Sequence, residues 1–281
     1  MLLSVVIIGR NDAQHISRSI GTALRTRPEG DVEVIFVDDA STDATLSTAQ
    51  KLCDGKQDTK VLHSDVHVSA GGARNIGVRE ASGDYIYFHD SDDYLSEDGL
   101  DRLMKAIKEN KFPDVILVPF QVLRMTRYEN HVPDAYKELS DTVGWAVGPW
   151  SAAFKRSLYV PTPENVYAEN VVWHFLQYDK FESFAKVEGN DPVYIWDCTN
   201  PNAVTRTVEW FWNRSYTLEQ LAFSDILVKE GLKDSYVSDT LRNLAALYDV
   251  RHKLKKPWVK AVWAKRFSSC YQRMMTGHFG H

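Results

Sequence analysis

Two β-rich apolar runs, LSVVIIG at 3–9 and VEVIFVD at 32–38, constrain this chain more than any other feature. Runs of this kind are strands covered on both faces, because a strand with one wet face would alternate apolar and polar residues. KVLHS at 60–64, DYIYFHD at 84–90 and DVILVPF at 114–120 are predicted to be three further strands. Helical patterns lie between them. Ile16, Ile20, Ala23 and Leu24 mark one helix. Residues 42–53 form a second, capped near Ser41 or Thr42, and 97–110 another, capped by Ser96. GGARNIGVREAS at 71–82 reads as a loop running into a helix that Gly83 ends. Regular alternation of strand and helix dictates right-handed crossovers and a mostly parallel sheet. The expected fold is therefore α/β, a Rossmann-like sheet flanked by helices, with ligands at the carboxyl ends of the strands.

Beyond 120 the pattern loosens. A strand and then loop are expected over 121–148, a helix from near Pro149, a helix over 167–178, and short strands near 183–187 and 193–197. Three helical patterns follow from about 207, broken near Gly231 and Pro257. The expected division is a domain over 1–206 and a helical C-terminal region over 207–281.

With 281 residues the chain can bury a full core. No apolar run approaches the ~18 residues of a membrane span. The opening MLLSVVIIG has no basic residue before it and no small-residue cleavage site after it, so it reads as a buried strand and the chain as cytoplasmic. Cys53, Cys198 and Cys270 fit no zinc spacing and read as reduced thiols. The net charge of −5 hides an asymmetry: residues 251–281 carry eight Lys and Arg and no acid, leaving −13 on residues 1–250. A basic end on an acidic body points to an anionic partner.

Polar clusters stand where the expected strands end. FHDSDDYL at 88–95 places Asp90, Asp92 and Asp93 within four residues, which is costly unless a cation offsets the repulsion. Mg²⁺ takes one or two carboxylates plus substrate phosphates, and Mn²⁺ suits the same oxygen ligands. An acidic helix start accounts for Asp93 onward but not for Asp90 and Asp92. Asp38 and Asp39 can accept from a base imide or a ribose hydroxyl, while Ser41, Thr42 and Asp43 are satisfied by a simple turn and cap. Gly71 and Gly72 allow close approach of a ligand to the backbone, and Arg74 at a helix start can contact a nucleotide or its phosphates. His89 reads as a strand-end residue beside the site, since the further metal-ligand histidines of a phosphohydrolase are not in evidence.

Taken in order, SVVIIGRND, VIFVDDASTD and GGARNIGVREASGDYIYFHDSDDYL resemble the inverting glycosyltransferases of family two over about residues 2–98. The resemblance implies the GT-A fold, with a donor half over about 1–120 and an acceptor half over about 121–206. It implies a donor nucleotide held by Asp38, Asp39, Gly72, Arg74, Asp90 and Ser91, and a metal, Mn²⁺ or Mg²⁺, on Asp92. The co-substrate would be a nucleotide-diphosphate sugar, with UDP the commonest choice. GPWSAAFKRSLY at 148–159 resembles the family's acceptor-side segment and keeps Trp150, with Ala152 where a lysine is usual. Asp93 and Asn170 fall on the same side. VYAENVVWHF at 166–175 resembles the segment with a Glu-Asp pair whose aspartate is the base. Here the pair is Glu169-Asn170, and an amide cannot take the proton, so Glu169 is the candidate base. Arg206 is a candidate phosphate contact.

The family's usual acceptors are envelope glycans and lipid-linked sugars. Trp258, Trp263, Phe267 and Tyr271 interleave with the cations of 251–273, a mixture that suits an anionic membrane surface at the inner face or nucleic acid. It also suits a helix packing its aromatic side chains on the body. A transferase acting on modified bases of DNA is the alternative acceptor reading. A nucleotidyltransferase and a non-catalytic nucleotide-sugar-binding module are the alternatives of another class.

Overall fold

A computed structural model describes residues 3–25, 31–124, 127–133, 136–140, 142, 148–164, 169–199 and 253–264. In chain order these form β1 (Leu3–Gly9), α1 (Ile16–Arg25), β2 (Val32–Asp39), α2 (Thr45–Cys53), β3 (Thr59–Ser64), α3 (Ser69–Glu80) and β4 (Tyr85–Asp90). There follow β5 (Tyr94–Leu95), α4 (Gly99–Glu109), β6 (Val115–Leu117), β7 (Phe120–Arg124), β8 (Arg127–His131) and β9 (Ala152–Lys155). Last come α5 (Glu169–Tyr178), β10 (Phe184–Lys186) and β11 (Tyr194–Asp197). The chain divides into two units, Met1–Glu164 with Lys180–Pro201, and Asn165–Asp179 with Asn202–His281. Helix α5, expected inside the first 206 residues, thus groups with the C-terminal residues.

The first unit holds a seven-stranded sheet of order β10-β6-β9-β4-β1-β2-β3 and a four-stranded sheet of order β5-β11-β7-β8. In the large sheet β4, β1, β2 and β3 run parallel, in a register that pairs Ile8 with Asp90, Gly9 with Asp38, and Asp38 with His63. Their carboxyl ends therefore share one edge, where the acidic motifs lie. β1 and β2 are buried over Leu3–Ile8 and Val32–Val37, as expected of strands covered on both faces. Ile16, Ile20 and Ala23 of α1, and Leu100, Leu103, Met104 and Ile107 of α4, are buried in the same core. Each fully buried aliphatic side chain contributes roughly 1.5–3 kcal/mol.

Glu33 interrupts the apolar run of β2 and is 4% exposed. Its Oε1 accepts from Ser4 Oγ at 2.5 Å, Ser82 N–H at 2.5 Å and Gly83 N–H at 3.1 Å. Burial alone would raise its pKa, but these bonds outweigh it and hold the carboxyl below its ordinary value. The buried acid thus clamps the turn before β4 to β1 and β2.

Four expectations are corrected. The run 114–120 is not one strand: β6 joins the large sheet and β7 the small one. Pro119 breaks it, having no N–H to give, while its carbonyl accepts from Val193 N–H at 2.8 Å. Near Pro149 there is only a 3-10 turn, Pro149–Ser151. The next residues, Ala152–Lys155, become β9, antiparallel to both β4 and β6. Proline suits a helix start, but pairing on both edges wins over that local preference. Gly71 and Gly72 lie inside the first turn of α3, not in a loop. A Cβ on Gly71 would stand 2.3 Å from the Pro163 carbonyl oxygen, so close packing explains that glycine. Finally, α2 begins at Thr45 with Ala44 at the cap position, and Asp43 rather than Ser41 or Thr42 meets the first helical N–H, accepting from Thr45 N–H at 2.9 Å.

In the second unit Trp173, Phe175 and Tyr178 of α5 are buried. The Asp179 carboxylate accepts from Lys255 N–H at 2.9 Å and Lys256 N–H at 2.7 Å, just before a helical segment over 257–264. There Leu254, Val259 and Trp263 are buried while Lys253, Lys255 and Lys260 are exposed. This part of the basic stretch turns Trp263 inward, as the packing reading expects. Arg206 and the helical patterns over 207–252 and 265–281 lie outside the described residues. Among the described residues no helix is long and apolar enough to cross a membrane.

Candidate active site

At the shared edge, Asp38, next to last in β2, has no exposure at all. Its Oδ2 accepts from Ser41 N–H at 3.0 Å and lies 2.9 Å from His63 Nδ1. Its Oδ1 is buried and has no hydrogen-bond partner among the described residues. An unsatisfied buried acceptor costs ~1–3 kcal/mol, which a donor group on a ligand would recover. Asp39 is different. Its Oδ1 accepts from Val68 N–H at 2.7 Å and its Oδ2 lies 2.8 Å from His67 Nδ1, so it fixes the loop before α3. The next residue, Ala40, has φ +55°, an uncommon value for a residue with a Cβ, and the chain turns there toward the β1–α1 loop.

β4 ends in the second cluster. Arg74, 4% exposed on α3, donates through Nη2 to Asp90 Oδ1 at 3.0 Å, and its guanidinium lies 5.8 Å from the Phe88 ring centre. Ser91 is buried, donating from N–H to the Ile8 carbonyl at 3.0 Å and from Oγ to Asp12 Oδ2 at 2.6 Å. Asp92 is half-buried. Loss of water first, then the charges of Asp90 and Asp12, push its carboxyl up to about 7. Arg18 donates through Nη2 to the Asp92 carbonyl at 3.0 Å and to Asp197 Oδ2 at 2.7 Å, while stacking over Tyr94 at 4.2 Å. The backbone of Asp92 is thus held while its side chain is only partly compensated, by a backbone hydrogen bond and by His15.

Among the described residues no three His, Cys, Asp or Glu side chains form a ready metal cage. The donor set nevertheless suits a hard divalent cation shared with a phosphate. It offers carboxylate oxygens only, and it includes an acid held against ionisation by burial and then by like charge, which a cation would oppose.

Two residues expected on the acceptor side are packed instead. Asp93 is 2% exposed and accepts from the Tyr194 hydroxyl and from Asp197 N–H at 2.7 Å. Burial, then Asp92 and Asp90, raise its carboxyl well above the ordinary range. Trp150 is 4% exposed and stacks on Tyr194 at 4.6 Å. Gly72 is buried in α3, where a Cβ would stand 2.7 Å from Val68 Cβ. His89 is fully buried, with Nδ1 2.7 Å from the Asp90 carbonyl, and burial brings its pKa down to about 4, so the ring is neutral at pH 7. Glu169 and Asn170, both half-buried, open α5 in the second unit.

The sequence reading missed Asn11, Asp12, Arg18 and Asn75. Asn75 binds the 159–164 segment, with Oδ1 accepting from Tyr159 Oη at 2.6 Å and Thr162 N–H at 2.8 Å. The signal for Asn11 and Asp12 was their place, directly after a buried parallel strand.

The family model described as glycosyl transferase family 2 matches residues 4–166. Among curated relatives, an uncharacterized glycosyltransferase of Haemophilus influenzae is 29% identical over 109 residues, 39% of this chain and 43% of that protein. The poly(ribitol-phosphate) β-glucosyltransferase of Bacillus spizizenii is 35% identical over 113 residues, 40% of this chain and 18% of that protein. The chain thus matches less than half the length of these relatives. Among solved structures, residues 1–349 of Staphylococcus aureus TarS in complex with UDP-GlcNAc superpose with a TM-score of 0.66 at 19% identity, covering 99% of this chain and 92% of that one. A mannosyltransferase of Pyrobaculum calidifontis in complex with GDP-Man and Mn²⁺ gives 0.57 at 19% identity, covering 98% and 79%. These structures share the GT-A fold with this chain. With the family model spanning more than half of its residues, the chain belongs to glycosyl transferase family 2.

Proposed function

We propose that this enzyme moves a sugar from a nucleotide-diphosphate sugar, UDP being the expected nucleotide, to a hydroxyl of a glycan or lipid-linked acceptor, with inversion at the anomeric carbon. The observation that carries the reading is the pairing of two incomplete ends at one sheet edge. Among the described residues Asp38 offers a buried oxygen without a donor, and Asp92 is an acid whose loss of water and like-charged neighbours Asp90 and Asp12 outweigh the opposing charge of His15. A nucleoside bearing a cation-bound diphosphate would complete both. The structures superposed above include complexes with UDP-GlcNAc and with GDP-Man and Mn²⁺, in agreement with such a donor.

In this reading Asp38 accepts from the base or ribose, and Asp39 holds the loop beside it. Arg74 orients Asp90, and Gly72 lets α3 pack closely there. Ser91 sets the direction of the loop. Asp92, with Asp90, would hold Mn²⁺ or Mg²⁺ against the diphosphate, and the cation would supply Lewis-acid neutralisation of the leaving group. Glu169 takes the proton of the acceptor hydroxyl as that oxygen bonds to the anomeric carbon. The bond from that carbon to the diphosphate breaks on the opposite face. A positioned base of this kind contributes typically ~10²–10⁴-fold. Trp150 and Asp93, joined through Tyr194, shape the acceptor side from behind rather than touching the acceptor.

The test is release of UDP from UDP-sugars, with Mn²⁺ and with EDTA, in the presence of glycan, lipid-linked and DNA acceptors. Metal-dependent release stimulated by a glycan or lipid-linked acceptor supports the reading. Stimulation by DNA alone would overturn the acceptor class, and no release with any donor would overturn the donor assignment.

A further inference from the structure

The β1–α1 loop, whose Asn11 and Asp12 close the SVVIIGRND segment without a role assigned to them above, bonds to both ends of the site. Toward the nucleoside side, Asn11 N–H donates to Ser41 Oγ at 2.9 Å and Asn11 Oδ1 accepts from Thr42 N–H at 2.7 Å. Asp12 N–H donates to Thr45 Oγ1 at 2.7 Å, and Ala13 N–H to Asp43 Oδ2 at 3.1 Å. Asn11 has φ +51°, a value asparagine tolerates, and three consecutive N–H groups there meet three side chains of the 41–45 segment. Toward the diphosphate side, Asp12 Oδ2 accepts from Ser91 Oγ at 2.6 Å, and Asp12 Oδ1 lies 2.5 Å from His15 Nδ1.

The direction of the central bond is fixed. Thr45 is fully buried, and its hydroxyl gives its single proton to Asp43 Oδ1 at 2.5 Å. It therefore meets Asp12 only as an acceptor. A continuous chain Asp43–Thr45–Asp12–Ser91 results, with a carboxylate at each charged link, where hydrogen bonds are strongest.

We propose that Thr45 and Asp12 are positioning residues for the Asp90–Asp92 loop: the 41–45 segment sets Asp12, and Asp12 sets Ser91 and the two aspartates beside it. Thr45 thus controls the metal–diphosphate end from the nucleoside side, and by linkage the two ends bind cooperatively. The inference rests on the reading of Asp90 and Asp92 as the metal–diphosphate end.

The test compares wild type, Thr45→Val, which keeps the shape and loses the hydroxyl, and Thr45→Ser, which restores it. Mn²⁺ affinity is read at saturating UDP from the electron-spin signal of free Mn²⁺, and UDP affinity in EDTA by calorimetry. Thr45→Val is expected to weaken Mn²⁺ by about five- to tenfold, the scale of one lost hydrogen bond. UDP affinity in EDTA should move less than about twofold, and Thr45→Ser should return near wild type on the same scale. Asn11→Gly, at an exposed position that keeps the positive φ, should weaken Mn²⁺ in the same direction and carries the test if Thr45→Val does not fold. An unchanged Mn²⁺ affinity, no rescue by serine, or an equal loss in EDTA would overturn the proposal alone. A wild-type protein that binds UDP but no Mn²⁺, or neither, would overturn the donor-site reading and this inference with it.

Discussion

Metal binding should follow the protonation of Asp92. Its carboxyl sits at about 7 because it is shielded from water and faces Asp90 and Asp12. A cation needs the carboxylate, so metal affinity falls about tenfold for each pH unit below that value. Between pH 7.5 and 5.5 the expected loss is ~25-fold, or about 1.9 kcal/mol. The assay is Mn²⁺ titration at saturating UDP across this range. Nucleotide phosphate also titrates near pH ~6, so Asp92→Asn provides the baseline slope. Asp90→Asn removes one neighbouring charge and should move the inflection to lower pH. The same shift has a sign for stability. The folded pKa lies above the ordinary 3.8, so the metal-free protein is most favoured below that value and loses stability as pH rises toward 7. The loss is of order 4 kcal/mol at ~1.4 kcal/mol per unit, and Mn²⁺ with UDP should offset it. A slope in wild type equal to that of Asp92→Asn would refute the reasoning.

Three other outcomes are expected. Glu33→Ala leaves Ser4 Oγ and Ser82 N–H without their acceptor, while Gly83 N–H keeps Ser4 Oγ at 2.9 Å; at ~2–4 kcal/mol, thermal melting should fall by about 10 °C. That contribution is present above the ordinary 4.5 and is lost as pH falls through the lower folded value, so the two proteins should converge in acid. Asp38→Asn weakens UDP binding by ~10–100-fold in calorimetry, the range for a hydrogen bond to a charged group. Glu169→Gln lowers kcat by ~10²–10⁴ with donor affinity unchanged, and a smaller loss in steady-state assays would exclude Glu169 as the base.

The parallel half of the sheet was legible because burial on both faces writes a continuous apolar run, as in Leu3–Ile8 and Val32–Val37. Because the strands are expected to run parallel, Asp38 and Asp90, each near a strand's carboxyl end, are also expected on one side of the sheet. β9 was illegible for the opposite reason. Four residues between two strands owe their conformation to pairing partners distant in sequence, and Pro149 before them signals a helix. The split at Pro119 needed knowledge of the second sheet. Asp12 closes a quoted segment but gave no sign of its partner, and Thr45 lies outside every motif; their importance lies in bonds across 33 positions of sequence. Gly71 shows a residue legible by type and misread by role, as packing against Pro163 determines it.

The central claim is that Asp92 and a divalent cation hold a donor nucleotide. It is tested most directly by thermal-shift measurements on nucleoside diphosphates and nucleotide sugars, each with and without Mn²⁺, on wild type and Asp92→Ala. At a hundredfold excess over Kd a bound ligand stabilises the fold by about 2.7 kcal/mol, a shift such measurements resolve. The account predicts a Mn²⁺-dependent stabilisation by uridine nucleotides in wild type that Asp92→Ala abolishes. Stabilisation that is the same in EDTA, or that survives in Asp92→Ala, would contradict it.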